Sequence, residues 1–199
     1  MKLGPKYKIA RRVGAPIFEK TQTQKYSLRA ERKAKTARFG KPKSEYGAQL
    51  NEKQKARFTY GLSEKQFSNY VKEALQKKSH SVTNTIFENL ELRADNAVYR
   101  LGLAPTRAAS RQMVSHGHIT VNGKKITIPS QRLKMGDTLS IREGSLGKGL
   151  WSKADNSKTT PAWLSFDPQK KVAKVQGLPI LVPMENMFDL SAVVEFYSR

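Results

Sequence analysis

Cysteine is absent from this 199-residue sequence, which excludes disulfides, thiolate nucleophiles and cysteine-based zinc sites. Long apolar runs are also lacking, and the first residues, MKLGPKYKIARR, do not contain the apolar stretch of a secretory signal. Acidic residues are few compared with basic ones. We therefore expect a soluble intracellular chain with no membrane segment and a partner of negative charge.

Basic residues are abundant: 37 Lys and Arg face 16 Asp and Glu, which gives a net charge of +21. The excess is concentrated near the start, because residues 1–60 hold 17 basic and 4 acidic side chains. Such a surplus favours a polyanionic partner, with nucleic acid as the first candidate and an anionic membrane as the second. With 38% hydrophobic residues, the chain can build one or two cores.

The run KYSLRAERKAKTARFGKPK, Lys25 to Lys43, has few apolar side chains at a regular period. One interpretation is a disordered, solubilising tail. The other is an arm that becomes ordered on RNA phosphates, because Tyr7, Tyr26, Phe39 and Tyr46 are interleaved with the charge.

A helical pattern begins after Leu62 in LSEKQFSNYVKEALQKK. Ser63 followed by Gln66 indicates a capping box. The apolar residues that recur at helical spacing are Phe67, Val71, Ala74 and Leu75. A polar loop is expected from Lys77 to Asn84, with His80 in solvent.

Two arginine-bearing helical patterns follow. The first, in TIFENLELRADNAVYRLGL, places Arg93, Asn96 and Arg100 on a different side from Ala94, Val98 and Leu101. Gly102 ends it and Pro105 prevents its return. The second, RAASRQMVSHG, is capped by Thr106 and ended by Gly117. It places Arg107, Arg111 and Ser115 on one face, with Ala109 and Met113 turned inward.

After Gly117 the period changes from 3.6 to 2. Asn122-Gly123 is a strong signal for a type I′ hairpin. The residues expected to alternate inward around this turn are Ile119, Val121, Ile126 and Ile128. GDTLSI predicts a further strand, with Leu139 and Ile141 pointing the same way.

The closely spaced histidines His116 and His118 allow three interpretations: a metal site, a catalytic site, or a turn. A metal would need more ligands, and catalysis would need a nucleophile or paired carboxylates, neither of which the neighbouring sequence offers. A turn beside the arginine face, donating to phosphate or stacking on a base, is favoured.

The stretch RADNAVYRLGLAPTRAASRQMVSHGHITVNGKKITIPSQRLKMGD resembles the small RNA-binding module named after ribosomal protein S-four (S4). LGPKYKIARRVG, KPKSEYGAQLNEKQKARFTYGLSEKQFSNY and VVEFYSR resemble the S-four family itself, in its order. The likeness covers nearly the whole chain, apart from Thr21–Phe39 and about Ser145–Val182. It implies a bacterial-type or organellar ribosomal protein rather than an enzyme.

The resemblance implies direct binding to the 5′ domain of 16S ribosomal RNA early in assembly. In the first 60 residues the implied contacts are Lys2, Lys6, Lys8, Arg11, Arg12, Tyr46, Gln49, Lys53, Lys55, Arg57 and Tyr60. In the module they are Arg93, Asn96, Tyr99, Arg100, Thr106, Arg107, Arg111, Ser115, His116 and Lys124.

The resemblance also implies contacts beyond ribosomal RNA. Lys41 and Lys43 match positions beside the messenger entry channel, and the end EFYSR matches a segment that meets the neighbouring protein S-five and influences decoding accuracy. Protein S-three is a further implied neighbour. Many relatives hold a cysteine-bound metal or cluster in the N-terminal arm. Since this chain has no cysteine, we expect no cofactor or metal and an arm ordered only by RNA.

The expected fold is α+β. It comprises a basic N-terminal arm over 1–45, a mostly α-helical domain over 46–90 completed by about 183–199, and a small inserted α/β RNA-binding module over 91–150. Residues 151–182 are expected to be an irregular connection, and LSAVVEFYSR to be a short strand.

Three other functions compete with the ribosomal one. An RNA-modifying enzyme or aminoacyl-tRNA synthetase would need a catalytic domain, for which residues 150–199 are too short. A free-standing RNA chaperone that rescues stalled ribosomes would carry the same module. A DNA-binding helix-turn-helix protein fits poorly, because the hairpin follows the second helix directly. The expected location is the cytoplasmic ribosome, with an organellar ribosome as the alternative.

Overall fold

The computed structural model describes residues 3–36, 44–77, 81–146, 160–167, 169–182 and 186–198. Within these residues the chain forms eight α-helices and one five-stranded antiparallel sheet, which confirms the predicted α+β class. Two compact units result. The first comprises Met1–Thr83 with Val182–Arg199, and the second comprises Asn84–Leu181.

In chain order the helices are α1 (Lys6–Val13), α2 (Gln24–Thr36), α3 (Glu45–Thr59), α4 (Glu64–Gln76), α5 (Val82–Glu91), α6 (Ala94–Arg100), α7 (Arg107–Ser115) and α8 (Leu190–Ser198). The strands are β1 (Ile119–Val121), β2 (Lys124–Lys125), β3 (Thr138–Ile141), β4 (Leu164–Asp167) and β5 (Val172–Val175).

The N-terminal residues of the first unit have a small core of their own. It consists of the buried side chains of Ala10, Val13, Ile17 and Phe18. Asn51 of α3 donates a hydrogen bond of 2.9 Å to the carbonyl oxygen of Val13. These buried residues precede the basic run Lys25–Lys43. Within that run and the start of α2, the described side chains over 24–32 are exposed apart from Tyr26, which is half-buried. That RNA orders the arm stays a prediction.

Helix α4 begins where the sequence predicts. The side chain of Ser63 accepts a hydrogen bond from the amide of Gln66, which satisfies one of the unpaired N–H groups at the helix start. Phe67, Val71 and Ala74 are buried as expected, whereas Leu75 is exposed. The helix ends at Gln76, and α5 begins at Val82, earlier than the expected end of the loop. The predicted position of His80 lies outside the described residues.

The C-terminal segment is a helix, not the predicted strand. Leu190 and Val193 of α8 are buried, and the helix packs against α3. The ten residues of LSAVVEFYSR satisfy both an alternating and a helical pattern, because the segment is short and mostly apolar. Packing of the i, i+3 face against α3 decides the outcome.

The second unit contains α5, α6 and α7 beside a sheet with strand order β2-β1-β3-β5-β4. The sequence predicts one helical pattern around Arg93, but the chain forms two helices there: α5 ends at Glu91 and α6 begins at Ala94. Between the two helices the backbone pairs with the segment before β3. The amide of Leu133 donates to the carbonyl oxygen of Leu92 over 2.8 Å, and the backbones of Arg93 and Arg132 form an isolated antiparallel β-bridge.

Part of the segment predicted to be irregular, 151–182, belongs to the sheet. Strand β5 pairs with β3 and with β4, and Trp163, Leu164, Ala173 and Val175 enter the core of the second unit. The expectation is wrong here because these strands have only four residues each, too few to show a clear period. Residues 151–159 and 168 lie outside the described residues.

The predicted hairpin is confirmed. Asn122 has φ of 51° and Gly123 has φ of 76°, the positive values that a two-residue type I′ turn requires between β1 and β2. Ile126 is buried as expected, but Ile128 is exposed because β2 ends at Lys125. Leu139 and Ile141 of β3 both face the core.

Candidate nucleic-acid interface

A buried carboxylate organises the start of α6 and the middle of α7. Asp95 accepts hydrogen bonds from Arg93, at 3.0 Å to Oδ1 and 2.8 Å to Oδ2. Its Oδ2 also accepts from Nε of Arg111 over 2.8 Å. The Asp95 side chain is only 4% exposed. One carboxylate therefore orients two guanidinium groups that are 18 residues apart in sequence.

A second buried carboxylate, that of Glu91 at the end of α5, does the same for Arg100. The guanidinium of Arg100 donates two hydrogen bonds to it, of 2.8 and 2.7 Å. Asn96 donates to Glu91 Oε2 over 3.0 Å, and its own Oδ1 accepts from Nε of Arg107 over 2.9 Å. The guanidinium of Arg107 lies 4.4 Å from the ring centroid of Tyr99.

The network has more positive than negative charge. It contains four guanidinium groups and two carboxylates, and both carboxylates are buried, together with Arg93. Three of the arginines reach the surface: Arg107 is partly exposed, and the side chains of Arg100 and Arg111 are 33% and 27% exposed. A surface with positive charge outside and its counter-charge inside attracts phosphate.

Two residues of the first arginine-bearing pattern are buried. Arg93 and Asn96, expected to contact RNA, are 2% and 3% exposed. Both hold other side chains in place. Thr106 instead caps the backbone of α7, because its hydroxyl accepts from the amide of Ala109. Ser115 lies exposed at the end of α7 and donates to the carbonyl of Arg111.

The HGH motif forms the turn that the sequence predicts. Gly117 has φ of 70°, His116 is exposed, and Nδ1 of His118 lies 3.0 Å from the hydroxyl of Ser145. A side chain at position 117 would collide with Cε of Lys125, so the lysine crosses directly over the glycine. Lys125 therefore lies beside the HGH turn. The pairing of β1 with β2 creates this contact, which the sequence analysis missed.

The described residues contain no group of three or more His, Cys, Asp or Glu placed to hold a metal ion. Nor does any helix in the described part of the chain combine the length and apolar character needed to cross a membrane.

The expected RNA surface of the first unit is partly internal. Gln49, Lys53 and Tyr60 are buried. Nζ of Lys53 lies 2.8 Å from Glu64 and 4.3 Å from the ring centroid of Phe196. These side chains join α3 to α8 and α4.

The other expected contacts of this surface are more accessible. Tyr46 is exposed at the start of α3, beside the ring of Phe196. Lys55 pairs with Glu52 over 2.6 Å, and Arg57 donates to Gln54.

The hydrogen-bonded group around Glu64 perturbs two acids. Burial alone would raise the pKa of Glu64, but the hydrogen bonds and charges of Lys53, Tyr197 and Arg57 outweigh it and lower the pKa. Burial, together with the nearby carboxylate of Glu64, raises the pKa of Tyr197. The Tyr197 hydroxyl therefore stays protonated and donates to Glu64 over 3.1 Å.

The basic residues of the arm lie mostly on the surface. Lys8, Arg11 and Arg12 are exposed on α1, whereas the ammonium of Lys6 lies 5.5 Å from the ring centroid of Phe18. Lys2, Lys41 and Lys43 lie outside the described residues.

The network on α6 and α7, the HGH turn and the surplus of basic residues together define a basic RNA-binding protein with a small α/β module. Two family models match the chain: the S4 domain over residues 92–139, and the Ribosomal protein S4/S9 N-terminal domain over residues 2–91.

Individual relatives match from end to end. The chain is 41% identical over 201 residues to the Small ribosomal subunit protein uS4 of Amoebophilus asiaticus (strain 5a2), covering 99% of this chain and 98% of that protein. It is 40% identical over 197 residues to that of Limosilactobacillus fermentum (strain NBRC 3956 / LMG 18251), covering 98% of each. It is 40% identical over 205 residues to the Small ribosomal subunit protein uS4c of Emiliania huxleyi, covering 98% and 96%.

The chain belongs to the small-subunit ribosomal protein S4 family. The predicted family is thereby confirmed, as are the RNA-binding class and the ribosomal location. Its role is that of a structural constituent of the small subunit, in contact with ribosomal RNA.

Proposed function

We propose that this protein binds the 5′ domain of 16S ribosomal RNA directly and early in small-subunit assembly, without catalysis. The observation that supports this most is the guanidinium network of α6 and α7, in which buried Glu91 and Asp95 orient arginines that reach the surface. Because the guanidinium groups are held before RNA arrives, less side-chain entropy is lost on binding.

The recognition is of phosphate and shape. Arg100 and Arg111 supply charge and N–H donors, which suit phosphate oxygens. The guanidinium of Arg107 lies over the ring of Tyr99, so Tyr99 supports that arginine. His116, Lys124 and Lys125 extend the same chemistry to the adjoining turn and hairpin, where all three are exposed.

The contribution to decoding accuracy and to the messenger entry channel is part of the same proposal. Lys41 and Lys43 contact messenger RNA, and the C-terminal segment meets protein S-five, with S-three as a further neighbour. Support comes from the resemblance of KPK and EFYSR to the family's segments. The packing of α8 on α3 adds that the C-terminal segment is presented on a helix.

The experiment that tests the proposal compares the 5′ domain of 16S ribosomal RNA with a shuffled RNA of equal length, across a salt series. Preference for the true domain that persists as salt rises indicates shape-specific recognition. Equal affinities that fall together would instead indicate a general polyanion binder, such as an RNA chaperone.

Arg111→Ala gives the residue-level test. Asp95 keeps Arg93 as its partner in this variant, so the fold remains. We expect the affinity for the 5′ domain to fall by about 1–2 kcal/mol, as for one charged hydrogen bond. The slope of log K against log salt should become shallower by about 0.9 for each phosphate that the variant no longer neutralises.

The matched control is Lys170→Ala, which removes one positive charge from the exposed turn between β4 and β5. Its affinity and slope should stay close to those of the unmodified protein. If the slope for Arg111→Ala equals the slope for the control, Arg111 does not contact RNA.

A further inference from the structure

Helices α1 and α2 enclose an open cleft of about 410 Å³ in the first unit. It is a different site from the network on α6 and α7. Its lining includes Tyr7, Arg11, Thr23, Lys25, Tyr26 and Arg29. A cleft of this size suits a small organic group.

The cleft has an aromatic wall with one accessible ring. Tyr7 and Tyr26 are stacked, with ring centroids 5.9 Å apart and an angle of 29° between the planes. This separation is less than the roughly 6.8 Å that an inserted base needs, which is twice the spacing of stacked bases. Tyr7 is 49% exposed, whereas Tyr26 packs against the small core of α1. A further ring can therefore extend the stack only on the Tyr7 side.

The remaining wall is cationic. Arg11, Lys25 and Arg29 are all exposed side chains that line the cleft. Nε of Arg11 donates to the carbonyl oxygen of Tyr7 over 3.3 Å, which holds the guanidinium near that residue. Among the described lining residues none is acidic. The charge is therefore positive right beside an exposed aromatic face.

We propose that this cleft binds one unpaired nucleotide of RNA, with the base stacked on Tyr7 and the phosphate between Arg11 and Arg29. An aromatic face next to several cations matches a nucleotide, because the base supplies a π-face and the backbone a charge on each unit. An acidic peptide would use the cations but not the ring. The inference rests on the RNA binding proposed above, but on residues outside the network of α6 and α7.

Binding of the full-length protein to single-stranded hexauridylate and hexaadenylate, followed by fluorescence anisotropy, tests the base contact. We expect Tyr7→Leu to weaken both by about tenfold, within the range for removing one base–aromatic stack. Tyr7→Phe keeps the ring and should bind within about twofold of the unmodified protein. Circular dichroism melting of both variants checks that the half-exposed position leaves the fold intact.

Arg29→Ala tests the phosphate contact, with Lys20→Ala as the control, because Lys20 is exposed in the same unit outside the cleft lining. Arg29→Ala should weaken binding several-fold and make the salt dependence shallower. Lys20→Ala should weaken binding less, because it removes one charge outside the cleft lining. The nucleotide site is overturned if Arg29→Ala binds RNA with the same affinity and salt dependence as Lys20→Ala. It is also overturned if Tyr7→Leu binds with the same affinity as Tyr7→Phe.

Crosslinking identifies the source of the nucleotide. RNA carrying 4-thiouridine, either the 16S 5′ domain or an unstructured messenger, is irradiated with the protein, and the crosslinked peptide is read by mass spectrometry. A crosslink at Tyr7 in either RNA supports the site and names its source, whereas its absence from both contradicts the proposal. Since Arg111→Ala reports on the 5′ domain independently, failure of the cleft and failure of the proposed function give different results.

Discussion

Asp95 shows how an acidic residue can serve a basic RNA-binding surface. Its carboxylate is buried and accepts hydrogen bonds from Arg93, which precedes it in the sequence, and from Arg111, which follows it. A carboxylate in solvent would repel phosphate, but this one faces inward and fixes the direction of its partners. The scarcity of acidic residues in the chain makes the burial of Glu91 and Asp95 all the more informative.

Asp95→Ala should therefore damage the fold before it affects RNA binding. The variant leaves the Arg93 guanidinium, which is 3% exposed, without its carboxylate, and removing one partner from a buried ion pair typically costs about 3–5 kcal/mol. Urea unfolding followed by circular dichroism measures the decrease. Glu143→Ala, at an exposed carboxylate, should change stability by less than about 0.5 kcal/mol. Equal stabilities for both variants would contradict the central place given to Asp95.

At the scale of elements, the features that sequence analysis predicted well are those decided by local chemistry. The caps at Ser63 and Thr106 depend on one hydroxyl and one nearby amide, and the Asn122-Gly123 turn depends on two positive φ values. Each is complete within a few residues. Composition and short-range spacing contain enough information to predict them.

Features decided by distant partners could not be predicted in the same way. The α8 segment is a helix because its apolar face meets α3, and β5 is a strand because β3 lies beside it. The site shows the same limit. Its arginines were predicted, but the burial of Arg93, the pairing of Arg111 with Asp95 and the path of Lys125 over Gly117 all depend on tertiary contacts.

The attachment of α8 should depend on pH through Glu64. The pKa of Glu64 is lowered in the folded state, so its stabilising effect is present above the usual value of 4.5 and is lost as pH falls through the lowered value. Hydrogen exchange of Leu190–Ser198, expressed as protection relative to intrinsic rates, should drop below about pH 4.5.

Glu64→Gln separates this effect from general acid unfolding. The variant should show weaker protection of α8 at pH 6 and less change on acidification, because the charge that pairs with Lys53 is gone. Glu73→Gln, on the same helix and paired with Lys77 at the surface, is the control and should keep the pH response of the unmodified protein. If the pH response of Glu64→Gln is unchanged, the pH dependence of α8 protection arises from other carboxylates.

At the scale of the whole molecule, the two units divide the chain differently from the sequence-based domains. The expected module ended at residue 150, whereas the second unit is Asn84–Leu181. The difference matters physically, because β5 covers the edge of β3 and β4 pairs with β5. This segment also supplies Trp163, Leu164, Ala173 and Val175 to the core. A module without them would expose both the strand edge and Leu139.

Two fragments distinguish these divisions. Residues 84–181 should fold cooperatively, because the core cluster of this unit lies entirely within them. Residues 84–150 should lack a cooperative thermal transition by circular dichroism, since about a fifth of that core and two of five strands are removed. In 84–181 carrying Trp151→Phe, the remaining Trp163 should emit at short wavelength, because it is 8% exposed. Equal melting of the two fragments would show that β4 and β5 are dispensable and would restore the shorter module.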